Sequence, residues 1–493
     1  MSNVYSTPVT VMRTPLRLEA DPRRVLARLF LPGDLSRVKK IIRRVLSLNA
    51  STTAAELDHV MHEFRFRHKN IDRIFHRHFE AVAADVKDAS QVSADKRLLI
   101  GAYFTLEYSL ESVALFNPSI VPHPDQSGLS PGELRFVMSL RACGEGHISS
   151  IAFRGGVIHA NHDVTLDPVT PYIVSEKPVE HKLYEKHPFF LKLIEMAAYD
   201  ECTQSVLDRL GDAFTIGDLQ DAIDTLRSEN GSNPHFEETA QKILWLARSN
   251  YALQFPDDAE LCERVIFPVT ENESRGIEDA RFVHFTEEDG HHTYYATYTA
   301  YNGFTILPQM IETDDFEHFK IITLNGRCVQ NKGMALFPRR IDGEFYMFSR
   351  LDGEHLYLMN SENLHFWNDA KKLTWKRQPW EYMQVGNCGS PLETEAGWLL
   401  LTHGVGPMRE YCMGAVLLDL EDPSKIIGAL RKPLIVPAGG ERDGYVPNVV
   451  YSCGALIHND ALVIPYAVSD TWTGIVVVAL PELLKRLKGR RAS

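Results

Sequence analysis

Apolar and polar positions change their period along this chain. Near the start, Val38, Ile41, Ile42 and Val45 recur at the spacing of one helix face and predict a helix that begins after Asp34. Ser51 or Thr52 is placed to cap a second, longer helix reaching about Val86. A further helical stretch covers about 190–251, where runs such as TIGDLQDAIDTLRSEN are separated by Gly and Asn-Gly punctuation. On both sides of it the apolar runs are short, rich in aromatic and β-branched residues, and bounded by Gly, Asp and Asn, which is strand and hairpin chemistry.

The strand regions repeat. Segments at 280–285, 334–338, 389–393 and 453–457 each predict a first strand; turns follow at Gly290, Gly343, Gly397 and Asn459-Asp460, and the runs YYATYTAY, FYMFSR, WLLLTHGV and LVIPYAVSD predict second strands. FNPSIVPH, the turn at Gly132 and LRFVMSLR, ending at Arg141, make a fifth copy. Five copies at a period of roughly fifty residues predict a mainly β protein, a five-bladed β-propeller with an N-terminal helical region and a helical insertion. The expected organisation is a helical region over 1–105, the propeller over 106–485 with the insertion at about 190–251, and a basic tail over 486–493. An open β-sandwich with accidental internal similarity is the alternative.

Composition narrows the class of partner. Of the 493 residues, 44% are hydrophobic and 24% charged, ordinary for a globular protein, and the net charge of -13 disfavours a general affinity for nucleic acid or anionic membrane. The seven cysteines are odd in number and contain no CxxC pair, and no basic segment followed by an apolar run opens the chain; both features predict a reducing, cytoplasmic location. The crowded His59, His62, His68, His76 and His78 are not expected to hold a metal, because Cys is absent there and Arg and Lys surround the imidazoles.

In a propeller the innermost strands converge on the axis, so polar residues at equivalent strand ends meet in one pocket. Asn117, Asp279 and Lys332, with Gln384 and Asn387, stand at the entries of first strands; Arg141, Tyr301, Arg350, His403 and Asp470 stand at the exits of second strands. This set has too few carboxylates and imidazoles for a metal, no GxGxxG or GK[ST] frame accompanies it, and no GxSxG elbow occurs, so no cofactor is expected. What remains is carboxylate chemistry beside cations. Asp279 is suited to protonating a glycosidic oxygen, while Lys332, Arg350 and His403 are suited to holding an anion, phosphate being one that can itself attack.

At these residues the chain resembles glycoside hydrolase family 130, the β-mannoside phosphorylases and their hydrolytic relatives. FNPSI at 116–120 is similar to the family's FNPA segment, SRGIEDARF at 274–282 to its G-x-E-D-x-R motif, and NKGMALFP at 331–338 to its N-[KR]-D-x-x-LFP; GWLLLTHGV, LLDLEDPSKIIG, ERDGYVPNVVYSCG and YAVSDT extend the match. The resemblance implies a five-bladed propeller and an inverting displacement at a terminal β-mannosyl unit that releases mannose 1-phosphate. It implies Asp279 as proton donor acting through a sugar hydroxyl, Asn117, Arg141 and Asp470 gripping the mannosyl ring, and Lys332, Arg350, His403 and Tyr411 at phosphate, the co-substrate. Tyr301 is added to the sugar-binding set from its place at a strand exit.

The chain departs from the family in carrying Gln384 where many members have Lys, and Gly333 where they have Asp, and both helical regions are absent from shorter members. A β-mannoside hydrolase is therefore the nearest rival; it needs a carboxylate base, for which Glu441 and Glu393 are candidates. A non-catalytic glycan-binding propeller is the rival from another class, and an arabinan- or fructan-processing enzyme is disfavoured by the cationic cluster. The helical additions are candidates for narrowing the acceptor side of the pocket or for self-association into a homo-oligomer.

Overall fold

The computed structural model describes residues 9–174, 177–178, 183–196, 198–230 and 233–488; of the basic tail over 486–493, residues 489–493 lie outside them. The fold is mainly β, a succession of antiparallel units joined in chain order. The first unit is formed by Ala114–Pro122, Leu134–Cys143 and Ser149–Ile158, and the second by Gly276–Thr286, His292–Tyr301, Ile306–Thr313 and His318–Thr323. Ala335–Leu336, Phe345–Ser349, Tyr357–Ser361 and Asp369–Lys372 form the next, followed by Gln384–Asn387, Gly397–Val405, Tyr411–Leu418 and Ile426–Ala429. The last combines Val450–Tyr451, Ala461–Val468 and Trp472–Ala479 with the N-terminal strand Val11–Leu18, which pairs antiparallel with the final strand, Val11 opposite Val478.

Gly397–Val405 shows how the units stack. All nine residues are buried, with no polar alternation. The reason is that both faces are covered: Trp398 and Leu400 pack with Phe337 and Phe348 of the preceding unit, while Leu399 and Leu401 pack with Ile464 and Val476 of the following one. The same division recurs in the second unit, where Phe282 and Ala296 join Val137 and Phe153 of the first, and Phe285 and Met310 join Leu336 and Met347 of the third. Ile120 and Met138 of the first unit in turn share a cluster with Val463 and Ile475 of the last. Gly389 serves this close stacking, since a Cβ there, at φ 106°, would stand 2.3 Å from the Cys453 carbonyl oxygen.

The region before residue 105 is only partly helical, because the strands Val11–Leu18 and Val25–Leu29 precede its helices Leu35–Leu46, Ala50–Phe64, Ile71–Glu80 and Ala94–Tyr103. Asp34 caps the first helix through Arg37 N, as the sequence predicts. The second is capped by Asn49, whose side chain accepts from Thr52 N at 2.9 Å, rather than by Ser51 or Thr52, and the long helix expected to reach Val86 is divided where Asn70 adopts φ 51°. Helices Lys186–Glu195, Glu201–Leu207, Ile216–Asn230 and Pro234–Ser249 form the insertion around their own core of Leu193, Val206, Ile223 and Ile243. Among the described residues no helix is long and apolar enough to cross a membrane.

Candidate active site

Two matching defects in the first strands build the centre of the site. The pairing of Ala114–Pro122 shifts register between Phe116 and Ser119, and that of Gly276–Thr286 shifts between Glu278 and Arg281. Asn117 and Asp279 sit at these bulges in left-handed backbone, at φ 48° and 56°, a conformation that Asn and Asp tolerate best after Gly. The Asn117 amide donates to Asp279 Oδ1 at 2.6 Å.

A bulge changes what the strand can present. In a regular strand Glu278 and Asp279 would face opposite sides; here Arg141 binds both, donating from Nη2 to Glu278 Oε1 at 2.8 Å and from Nη1 to Asp279 Oδ1 at 3.3 Å. Its Nε donates to Ser149 Oγ at 2.8 Å, and its guanidinium lies 5.1 Å from the Phe116 ring centroid. Lys332 Nζ donates to the other Glu278 oxygen at 2.6 Å and lies 6.0 Å from the ring centroid of Tyr301, whose hydroxyl donates to Gly303 O. Arg281 reaches the Asp279 carbonyl oxygen at 2.8 Å and the Tyr451 hydroxyl at 2.6 Å.

Burial pushes the Asp279 carboxyl up, but Arg141, Arg281, the Asn117 amide and Lys332 outweigh it and hold the group below its ordinary value. Asp470, in left-handed backbone at φ 49° just after the strand Ala461–Val468, is the opposite case. Burial, together with the charge on Asp279, pushes it up to about 6 against the pull of Arg141 and Arg409. The two carboxyls thus sit within one another's field and are driven apart in acidity.

His403 lies within the field of Arg350. Burial first, then the Arg350 charge, pushes His403 down to about 3, so its imidazole is neutral near pH 7. With Asn387 O 3.1 Å from Nδ1, the proton belongs on Nδ1, which leaves Nε2 to accept from the Gln384 amide 3.3 Å away. The ring stacks on Tyr411 at 5.9 Å and meets Tyr451 edge-on at 5.0 Å, and a Cβ on Gly386 would strike it at 2.5 Å. Burial beside a guanidinium disfavours protonation of the His403 ring. Arg350 Nε, in contrast, is buried and has no hydrogen-bond partner among the described residues.

Sequence reasoning missed Glu278, Arg281 and Tyr451. The first two were visible as charges flanking Asp279 in an otherwise apolar run, but strand alternation assigns Glu278 to the wrong face unless the bulge is known. The two candidate bases are each paired with an arginine. Glu441 accepts from Arg13 Nε at 2.9 Å, Tyr466 Oη at 2.6 Å and Ala438 N at 2.9 Å, and Glu393 pairs with Arg339 at 2.7 Å on the exposed side. Of the N-terminal histidines, His68 Nε2 lies 2.8 Å from Glu107 and His78 Nδ1 lies 2.7 Å from the Thr105 hydroxyl.

Comparison with known proteins extends the likeness beyond these motifs. Residues 235–489 match the family model described as beta-1,4-mannooligosaccharide phosphorylase. The chain is 36% identical over 223 residues to the 1,2-beta-oligomannan phosphorylase of Thermoanaerobacter sp. (strain X514), an alignment covering 43% of this chain and 72% of that protein. It is 31% identical over 258 residues to the beta-1,2-mannobiose phosphorylase of Listeria innocua, covering 51% and 70%. The solved structure of the beta-1,2-mannobiose phosphorylase from Listeria innocua with beta-1,2-mannobiose superposes with a TM-score of 0.45 at 22% identity, over 77% of this chain and 93% of that one. With over half its length matched by the family model, the bulged Asn117 and Asp279 inside the motifs that suggested it, this chain belongs to glycoside hydrolase family 130.

Proposed function

We propose that the stacked units close into a five-bladed propeller and that the protein is a cytoplasmic phosphorylase, cleaving terminal β-mannosidic linkages of manno-oligosaccharides with inversion and releasing mannose 1-phosphate. Closure is supported by the cluster that joins Ile120 and Met138 of the first unit to Val463 and Ile475 of the last, and by the Cys453 N–H donating to Pro118 O at 2.8 Å. The N-terminal strand then completes the last blade, a device that removes exposed sheet edges.

The observation that carries the phosphate reading is Arg350. A buried guanidinium N–H without a partner is costly unless an acceptor is brought to it, and a phosphate oxygen is such an acceptor. Lys332 supplies the second charge, and His403 with Tyr411 forms the neutral wall. Asn117, Arg141, Tyr301 and Asp470 grip the mannosyl ring. In the reaction a phosphate oxygen attacks the anomeric carbon as the bond to the leaving sugar breaks. Asp279 delivers its proton to the departing oxygen through a sugar hydroxyl, and is recharged by the proton carried in on the phosphate.

The depressed pKa of Asp279 fits this order of events. Left to the cations alone the carboxyl stays ionised and cannot act as an acid. Phosphate bound against Arg350 and Lys332 offsets their charge and raises Asp279 towards the range where it holds a proton. Hydrolysis gains no comparable support, because Glu441 and Glu393 are committed to Arg13 and Arg339. Incubation with β-1,2-, β-1,3- and β-1,4-linked manno-oligosaccharides, with and without phosphate, tests the reading: phosphate-dependent mannose 1-phosphate is expected, and free mannose at a rate indifferent to phosphate would refute it.

A further inference from the structure

The helical insertion creates a cleft of about 1030 Å³ that the site above does not use. Its walls are the helix Pro234–Ser249, the strand Tyr251–Gln254 and residues 269–272, a few positions upstream of the strand that carries Asp279. Trp245 and Tyr251 are half-buried along it, and the exposed Gln241 and Arg248 stand beside them. Asn272 also lines it; this side chain is only 3% exposed, its Nδ2 donates to Ser249 Oγ, and its Oδ1 has no hydrogen-bond partner among the described residues.

Sheet register relates the cleft to the site. Tyr298 stands opposite the Asp279 bulge, pairs with Gln309, and Gln309 pairs with Thr323; Thr323 N in turn donates to the side chain of Asn250, next to Tyr251. The row from Asp279 to Tyr251 therefore crosses four strand spacings, about 19 Å. Half-buried aromatic rings flanked by amide and guanidinium groups, with one buried carbonyl oxygen lacking a donor, offer apolar faces and hydrogen bonds together. A chain of sugar rings presents the same combination of apolar faces and hydroxyl donors.

We propose that this cleft is an accessory binding site for the distal sugars of a manno-oligosaccharide whose terminal unit occupies the Asp279 site, so that the insertion selects long substrates over short ones. The inference rests on the mannoside reading. It is tested by comparing kcat/KM for the hexasaccharide and the disaccharide in the wild type, in Trp245→Ala and in the surface variant Gln241→Ala/Arg248→Ala, which removes no core packing. The preference for the hexasaccharide is expected to fall about tenfold in Trp245→Ala and to fall measurably in the surface variant. An unchanged preference in both variants would overturn the proposal while leaving the mannoside reading intact. If the wild type turns over none of these sugars, the mannoside reading fails separately. Calorimetric titration with the hexasaccharide then decides the cleft, equal affinity for wild type and both variants overturning it and weaker affinity in the variants supporting it.

Discussion

The Asn117 amide and the Asp279 carboxylate face each other across two different strands at 2.6 Å, each at a bulge and each in left-handed backbone. Because the amide bonds the ionised carboxylate, it lowers the pKa of the acid. Asn117→Ala is expected to raise the Asp279 pKa and so move the alkaline limb of the kcat profile to higher pH, with a loss in kcat of about tenfold. A pH–rate profile of the variant checks this.

Arg350 and Lys332 are expected to act on phosphate. Arg350→Ala should raise KM for phosphate by about 10–100-fold, equivalent to about 1.4–2.8 kcal/mol, with a smaller effect on KM for the sugar. Initial rates at varied phosphate and fixed oligosaccharide measure the split.

Glu278 bridges Arg141 and Lys332 and is itself 9% exposed. Glu278→Gln leaves two cations facing a neutral amide, and is expected to lower stability by about 1–3 kcal/mol and kcat/KM by at least about tenfold. Denaturant unfolding and steady-state kinetics on the same sample separate the two effects.

Asp470 links pH to stability. Its folded-state value, about 6, lies above the ordinary 3.8, so folding favours the protonated form, and the stability it contributes is present below about pH 4 and lost as pH rises through 6. Asp470→Asn is expected to be more stable than wild type at pH 7 by about 2 kcal/mol and equal to it near pH 4, while losing activity through the sugar contact. Thermal melts across this pH range test the sign.

Glu441 holds the N-terminal strand through Arg13 and the last unit through Tyr466. Glu441→Gln is expected to lower the melting temperature by several degrees and to leave kcat within about twofold at a temperature where both proteins are folded. A collapse of kcat at that temperature would return this residue to the role of a base.

The repeat was legible because each hairpin needs a left-handed residue and the chain marks it: Gly132, Gly290, Gly343, Gly397 and Asn459 all have positive φ. The N-terminal strand was not, since its partner lies at the far end of the chain, Val11 against Val478, and nothing local distinguishes its fate. At the site, Asn117, Arg141, Asp279 and Lys332 were readable as polar residues at equivalent strand ends, and the structure brings them together. The partnership of Glu278 depended on a bulge, and the neutrality of His403 depended on burial beside Arg350, a tertiary property that no motif encodes.

The proposed function stands on Asp279 donating a proton while phosphate attacks. Product analysis of wild type and Asp279→Asn with β-linked manno-oligosaccharides, with and without phosphate, tests it most directly. Mannose 1-phosphate is expected only when phosphate is present, at a rate reduced about 10²–10⁴-fold in the variant. Free mannose formed without phosphate, or a variant as active as wild type, would contradict it.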